Sequence, residues 1–143
     1  LSRVQLLAAY ACTECGRCTD ECPANQTGKL LSPRKIMMDT RRRSQEVAEN
    51  IRHNKGTFVP DQKALLGDYI TPEELWACST CAACVEACPM EISPLSIIVE
   101  MRRYIVMEQS AAPASLNKMM TQMENTSSPW GYNPAERETV LNE

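Results

Sequence analysis

An all-α domain built from two Cys-loop/helix half-units is the fold class that this sequence predicts. Three observations predict it. Helix starts recur as hydroxyl-Pro pairs at Ser32-Pro33, Thr71-Pro72 and Ser93-Pro94, where the hydroxyl caps the first turn and proline fills a position whose N–H has no helical partner. No stretch alternates convincingly with the period of two that a half-buried strand needs. Finally, a Cys block occurs twice, at Ala11 to Pro23 and Ala77 to Pro89. Each copy is followed by an aliphatic-Ser-Pro helix start, Leu31-Ser32-Pro33 and Ile92-Ser93-Pro94. Two tandem units of one kind are the economical reading of such a repeat.

The elements follow in order. A helical pattern begins at Leu1 and runs to the first Cys block. Ser32 caps a helix opening at Pro33. Asn54 to Tyr69 holds Gly56, Pro60 and Gly67 and reads as a loop. Thr71-Pro72-Glu73-Glu74 has the Thr-to-Glu spacing of a capping box and opens a helix through Leu75 and Trp76 towards Cys78. From Pro94, Ile97, Ile98, Met101 and Ile105 recur at helical spacing, with Arg102 and Arg103 on another face. Ala111 to Pro113 and Thr126 to Pro134 read as connectors around a helix carrying Leu116, Met119, Met120 and Met123. We divide the chain into a dicluster domain at 1–110 and a C-terminal helical extension or linker at 111–143. Because the chain starts in a helix at Leu1 and ends as another helix pattern begins, we read it as a piece of a longer polypeptide.

Composition narrows the function classes. Of 143 residues, eight are Cys and only seven are aromatic. A chain of this length has no need of disulfide staples, yet it lacks the large rings that usually fill a core. Something held by the cysteines is expected to occupy part of the interior. A net charge of −3 argues against a nucleic-acid binder that neutralises phosphates. No run approaches the ~20 apolar residues of a membrane span, and no signal peptide is legible. The expected compartment is therefore the cytoplasm, or the cytoplasmic face of a membrane complex reached through a partner.

Each block reads C-x2-C-x2-C-x3-C-P, the run that ligates [4Fe–4S] clusters in bacterial ferredoxins. Three thiolates at three-residue steps wrap one loop around three corners of a cubane, and the fourth Cys starts a new segment before a proline. In two-cluster proteins that fourth Cys serves the other cluster. We therefore expect two [4Fe–4S] clusters, one on Cys12, Cys15, Cys18 and Cys88, the other on Cys78, Cys81, Cys84 and Cys22. Small residues Gly16, Ala82 and Ala83 would let backbone N–H groups approach cluster sulfurs. Structural zinc, which favours two distant C-x2-C pairs, fits this spacing poorly, and a disulfide framework fits neither length nor compartment. The charged first loop (Glu14, Arg17, Asp20, Glu21) and the more apolar second (Ala82, Ala83, Val85) place the first cluster nearer solvent and the second deeper.

The 55 residues between Cys22 and Cys78 are too many for a compact bacterial ferredoxin. With Ala11-Cys12-Thr13-Glu14-Cys15-Gly16-Arg17-Cys18, Cys22-Pro23-Ala24-Asn25, Leu31-Ser32-Pro33 and Cys78-Ser79-Thr80-Cys81, residues 5 to 110 resemble the alpha-helical ferredoxin domain. The resemblance is to the heterodisulfide-reductase-like Fe–S oxidoreductases, including heterodisulfide reductase C-type and anaerobic glycerol-3-phosphate dehydrogenase iron–sulfur subunits. It implies an electron-transfer domain that relays single electrons within a larger oxidoreductase complex. Its partners there would be a CCG-type, flavoprotein or quinone-reactive membrane subunit. No CCG motif occurs here, so the terminal chemistry is expected elsewhere. A structural Fe–S or zinc docking module without redox cycling is the alternative reading.

Other features are read more plainly. Arg41-Arg42-Arg43, with Arg34 and Lys35, is expected to form a solvated helix face, and the Met stripe to pack on the domain's own core. His53, the only His, is expected to be exposed. No nucleophile–base pair, Gly-rich phosphate loop or catalytic carboxylate pair is legible, so catalytic residues are none and the chain is not read as a complete enzyme.

Overall fold

The computed structural model describes residues 1–133, and among them it is helical, with no strand beyond an isolated bridge between Leu66 and Ile70. Each half-unit repeats one plan. A short capped helix comes first: α1 (Arg3–Ala11) in the first half, α5 (Pro72–Trp76) in the second. Both carry complete capping boxes. Ser2 Oγ accepts from Gln5 N–H at 3.3 Å while Gln5 Oε1 accepts from Ser2 N–H at 2.7 Å. Thr71 and Glu74 exchange the equivalent bonds at 3.2 and 2.8 Å. The Cys block follows, and inside it lies one helical turn that the sequence does not announce: α2 (Arg17–Asp20) and α6 (Ala83–Glu86). In the first half a further turn, α3 (Pro23–Gln26), comes next.

Each half then closes with a long helix, α4 (Pro33–His53) or α7 (Pro94–Met107). Their starts are the expected ones: Ser32 Oγ accepts from Lys35 N–H at 3.4 Å and Ser93 Oγ from Ser96 N–H at 3.1 Å. The segment read as a loop from Asn54 to Tyr69 is irregular up to a π-type turn at Leu65–Tyr69, kinked at Leu66 and Gly67. α4 holds this loop from both sides. Asn50 exchanges two bonds of 2.9 Å with Val59, and Arg43 grips Asp61 through both carboxylate oxygens at 2.5 and 2.8 Å.

That grip corrects the reading of the basic run as a solvated face. Arg43 is buried, Arg41 is half-buried, and Lys35 bonds Glu74, Asp39 and the Tyr69 carbonyl. Only Arg34 and Arg42 are exposed. The reason is geometric: a 21-residue helix packed on several sides has too little free face for five long cations. His53 is exposed, as expected.

The core of the Cys-bearing unit is aliphatic. Leu31, Ile36, Met37, Ile70, Leu75, Ile97 and Ile98 are fully buried, whereas no aromatic residue is. Tyr69 and Trp76 are half-buried and the other five rings are exposed. The two halves are tied by Lys35 to Glu74 at 2.7 Å and by Gln5 Nε2 to the Ser96 carbonyl at 3.0 Å.

The chain divides into two compact units, Leu1–Tyr104 and Ile105–Glu143. The second, over its described residues, comprises the end of α7, a connector and α8 (Ala114–Thr126). Met119, Met120 and Met123 are exposed there, which corrects the expectation that they pack on the core. The more covered residues of α8 are Leu116, Gln122 and Thr126. The helix start expected near the chain's end lies outside the described residues. Among the described residues no helix is long and apolar enough to cross a membrane.

Candidate metal centre

The Cys blocks are folded alike to a fine level. Left-handed backbone occurs at matching positions, Glu14 (φ 59°) and Gly16 (φ 87°) in the first, Thr80 (φ 58°) and Ala82 (φ 64°) in the second. Three of these four are not glycine, and a side chain in that region costs about 1–2 kcal/mol. Such strain persists where the surroundings impose it, commonly at functional sites. Left-handed residues in such turns are a feature of the backbone concavities that receive anions, Fe–S groups among them. Gly16 and Ala82 then cap their helical turns with carbonyl bonds to Thr19 and Val85, both 2.8 Å. The next three bonds of each turn agree to within 0.1 Å.

The fold brings the cysteines together in two sets. Cys12, Cys15, Cys18 and Cys88 line one cavity, with Arg34, Met37 and Met90. Cys22, Cys78, Cys81 and Cys84 line another, with Leu31, Leu95 and Ile98. α2 and α6 face each other through the same positions of each block, Arg17, Asp20 and Glu21 against Ala83, Glu86 and Ala87. That is the pairing an approximate internal two-fold produces. Cys22 and Cys84 of the second set are buried, whereas no cysteine of the first set is. This agrees with the expectation of a deeper second site.

The donor chemistry fits a [4Fe–4S] cluster in each cavity. Four thiols stand around each, and N–H groups are aimed at sulfur: Thr80 N–H reaches Cys78 Sγ at 3.4 Å, and Ala83 N–H bonds the Cys81 sulfur. Among the described residues no three Cys, His, Asp or Glu side chains converge tightly enough to share one metal ion. Burial pushes the Cys84 thiol up to about 11 and raises Cys18 as well. Burial also raises Cys12, against the pull of Arg41. The Ala83 N–H and the Ser79 hydroxyl lower Cys81. At neutral pH the buried thiols therefore hold protons, which ligation must release.

Three arginines near these loops were not singled out as site residues by the sequence reading. Arg41 Nη1 donates to the Cys12 carbonyl at 3.2 Å and pairs with Glu14. Arg102 Nε and Nη2 donate to the Leu75 carbonyl at 3.0 and 2.6 Å, and Nη2 also bonds the Cys78 carbonyl. Arg34 lines the first cavity directly. The available signal was the offset: Arg41 and Arg102 each stand eight residues beyond the proline that opens their helix.

Comparison with known proteins bears on the same residues. Residues 11–92 match the family model described as a 4Fe-4S dicluster domain. The chain is 35% identical, over 97% of its length, to a probable iron-sulfur-binding oxidoreductase FadF of Bacillus subtilis, covering 24% of that protein. It is 33% identical, over 96% of its length, to an EtfAB:quinone oxidoreductase of Syntrophomonas wolfei, covering 22%. Against the C-type subunit of a ferredoxin/F(420)H(2)-dependent CoB-CoM heterodisulfide reductase of Methanosarcina acetivorans it is 32% identical, over 79% of this chain and 56% of that one. The chain thus spans about a quarter of the length of the first two relatives. With eight cysteines in two repeated blocks on an all-helical frame, this chain belongs to the 4Fe-4S dicluster domain family and is a carrier of two [4Fe–4S] clusters.

Proposed function

We propose that the chain is the electron-relay part of a larger oxidoreductase, with Cys12, Cys15, Cys18 and Cys88 ligating one cluster and Cys78, Cys81, Cys84 and Cys22 the other. The observation that carries this reading is the lining of the cavities, each with three cysteines of one block and the fourth of the other. When bound, the clusters supply one-electron carriage at potentials set by charge, hydrogen bonding and exposure. The chain's own residues hold and tune them. Thr80 and Ala83 donate to sulfur in the second block, and apolar side chains such as Leu31 and Ile98 keep water from the second site.

Cys15 and Cys81, the exposed members of each set, mark the edges where electrons would enter and leave. The partners would be further domains or subunits of a redox complex: a CCG-type protein, a flavoprotein or a quinone-reactive membrane subunit. Quinone in the name of the Syntrophomonas relative favours the last. The chain would then lie on the cytoplasmic side, joined to a membrane through such a partner. Anaerobic reconstitution followed by a dithionite titration tests the reading. Iron and sulfide sufficient for two [4Fe–4S] clusters, both reducible, are expected. Clusters that resist reduction would make the domain a structural docking module, and a colourless zinc-loaded protein would remove the clusters altogether.

A further inference from the structure

We propose that Arg41 and Arg102 are a matched pair of positioning residues, one for each Cys block, and that Glu14 makes them electrostatically unequal. The inference rests on the ligand assignment proposed above. Each arginine sits eight residues into the long helix of its own half-unit. From there it reaches back to the backbone carbonyl of the first cysteine in the preceding block, Cys12 or Cys78. An aromatic residue also precedes each of these cysteines by two positions, Tyr10 and Trp76, and Arg102 lies over the Trp76 ring at 5.0 Å. A carbonyl anchored this way fixes the peptide on which the loop begins, and with it the direction in which the first thiol leaves the backbone. The bond spans 29 residues in one half and 24 in the other, so the contact belongs to the fold and not to local sequence.

The two anchors differ in charge. The Arg41 guanidinium is ion-paired with Glu14, which stands at the left-handed turn of the first loop, so that anchor is close to neutral. Arg102 is half-buried and, among the described residues, has no carboxylate within ion-pairing distance. Its N–H groups go to the Leu75 and Cys78 carbonyls. A net positive charge therefore stands beside the second loop and favours the extra negative charge that reduction puts there. At an effective dielectric constant of about 20 and a separation of about 12 Å, one such charge shifts an equilibrium on the order of tenfold, about 59 mV for a one-electron couple.

An EPR-monitored redox titration of the anaerobically reconstituted chain, with dithionite as electron donor, tests this on Arg102→Gln, Arg102→Lys and Glu14→Gln. Arg102→Gln is expected to lower one midpoint by a factor on the order of tenfold in reduction equilibrium, and Arg102→Lys to restore it. Glu14→Gln unmasks Arg41 and is expected to raise the other midpoint. Midpoints that do not move, or two substitutions that move the same transition, would overturn the proposal. If Arg102→Gln fails to load its clusters, Glu14→Gln decides, because it leaves both arginines in place. A wild-type chain that cannot load two [4Fe–4S] clusters would instead overturn the ligand reading beneath it.

Discussion

Lys35 Nζ lies 2.7 Å from Glu74 Oε1, and this ion pair fastens the long helix of the first half-unit to the capped helix of the second. Glu74 is buried and also completes the Thr71 capping box, so one carboxylate serves both the local helix start and the join between halves. Burial works against its ionised form, but hydrogen bonds from Lys35 and Thr71 prevail and hold its pKa below the usual 4.5. Burial likewise opposes the Lys35 charge, and Glu74 and Asp39 prevail, raising it above 10.5.

Glu74→Gln should therefore cost about 1–2 kcal/mol near neutral pH, less than a fully buried pair because Lys35 is partly exposed. The sign of the pH dependence follows from both shifts. Glu74's contribution is fully present above pH 4.5 and fades as pH falls through its lowered value. Lys35's is fully present below pH 10.5 and fades as pH rises through its raised value. Urea denaturation of both proteins across pH should show the gap closing in acid. A constant gap down to the acid limit would count against the pair.

Cys22→Ser should remove the cluster held mainly by the Cys78 loop, and Cys88→Ser the one held mainly by the Cys12 loop. Cys22 lines the cavity of Cys78, Cys81 and Cys84, and Cys88 that of Cys12, Cys15 and Cys18. EPR of the reduced variants would read this. Loss of the Cys12 loop's signal in Cys22→Ser would sink the crossed assignment.

Gly16→Ala should destabilise the domain by about 1 kcal/mol through backbone strain alone. An added Cβ meets only Arg34 Nη1, at an ordinary 3.7 Å, whereas φ of 87° disfavours any side chain. The reciprocal change, Ala82→Gly, relieves strain at φ 64° and should be neutral or stabilise by up to about 1 kcal/mol. Denaturation midpoints of the two variants moving in the same direction would contradict this account.

Asp61→Asn should loosen the 54–69 loop and speed its proteolysis, because Arg43 is buried and Asp61 neutralises it. The Arg43 guanidinium holds the Asp61 carboxyl at about 2, below its ordinary 3.8. The restraint is thus fully present above pH 3.8 and lost between 3.8 and about 2. Limited proteolysis followed by mass mapping would locate the nick, and cleavage elsewhere would refute the assignment.

Features written in neighbouring residues were legible in advance. Ser32, Thr71 and Ser93 cap the helices their Pro partners announce, and the three-residue Cys steps mark the three cysteines of each block that line one cavity together. Contacts between distant side chains were not. Three arginines in a row look alike in sequence, and only the fold distinguishes Arg43, held by Asp61, from exposed Arg42. Periodicity likewise marks Met119, Met120 and Met123 as one stripe but says nothing about what covers it. Helical turns of four residues, such as Arg17–Asp20, are too short to show a period at all. The arginine anchors fall between these cases, because their equal offsets become meaningful only once both half-units are superposed.

The exchange of the fourth cysteine between blocks means that neither half-unit can enclose a cavity unaided. In this respect the domain behaves as a dimer whose two halves share one polypeptide. The 55 residues between Cys22 and Cys78 act as the tether. For two separate chains, closing the cavities would depend on protein concentration. Within one chain it depends on an effective local concentration that dilution leaves unchanged. The irregular stretch 54–64 within it is the forgiving part, since doubling the length of a flexible loop costs only about 0.6 kcal/mol in closure entropy. Insertions there should thus be far better tolerated than the loss of any cysteine from the blocks that the segment joins.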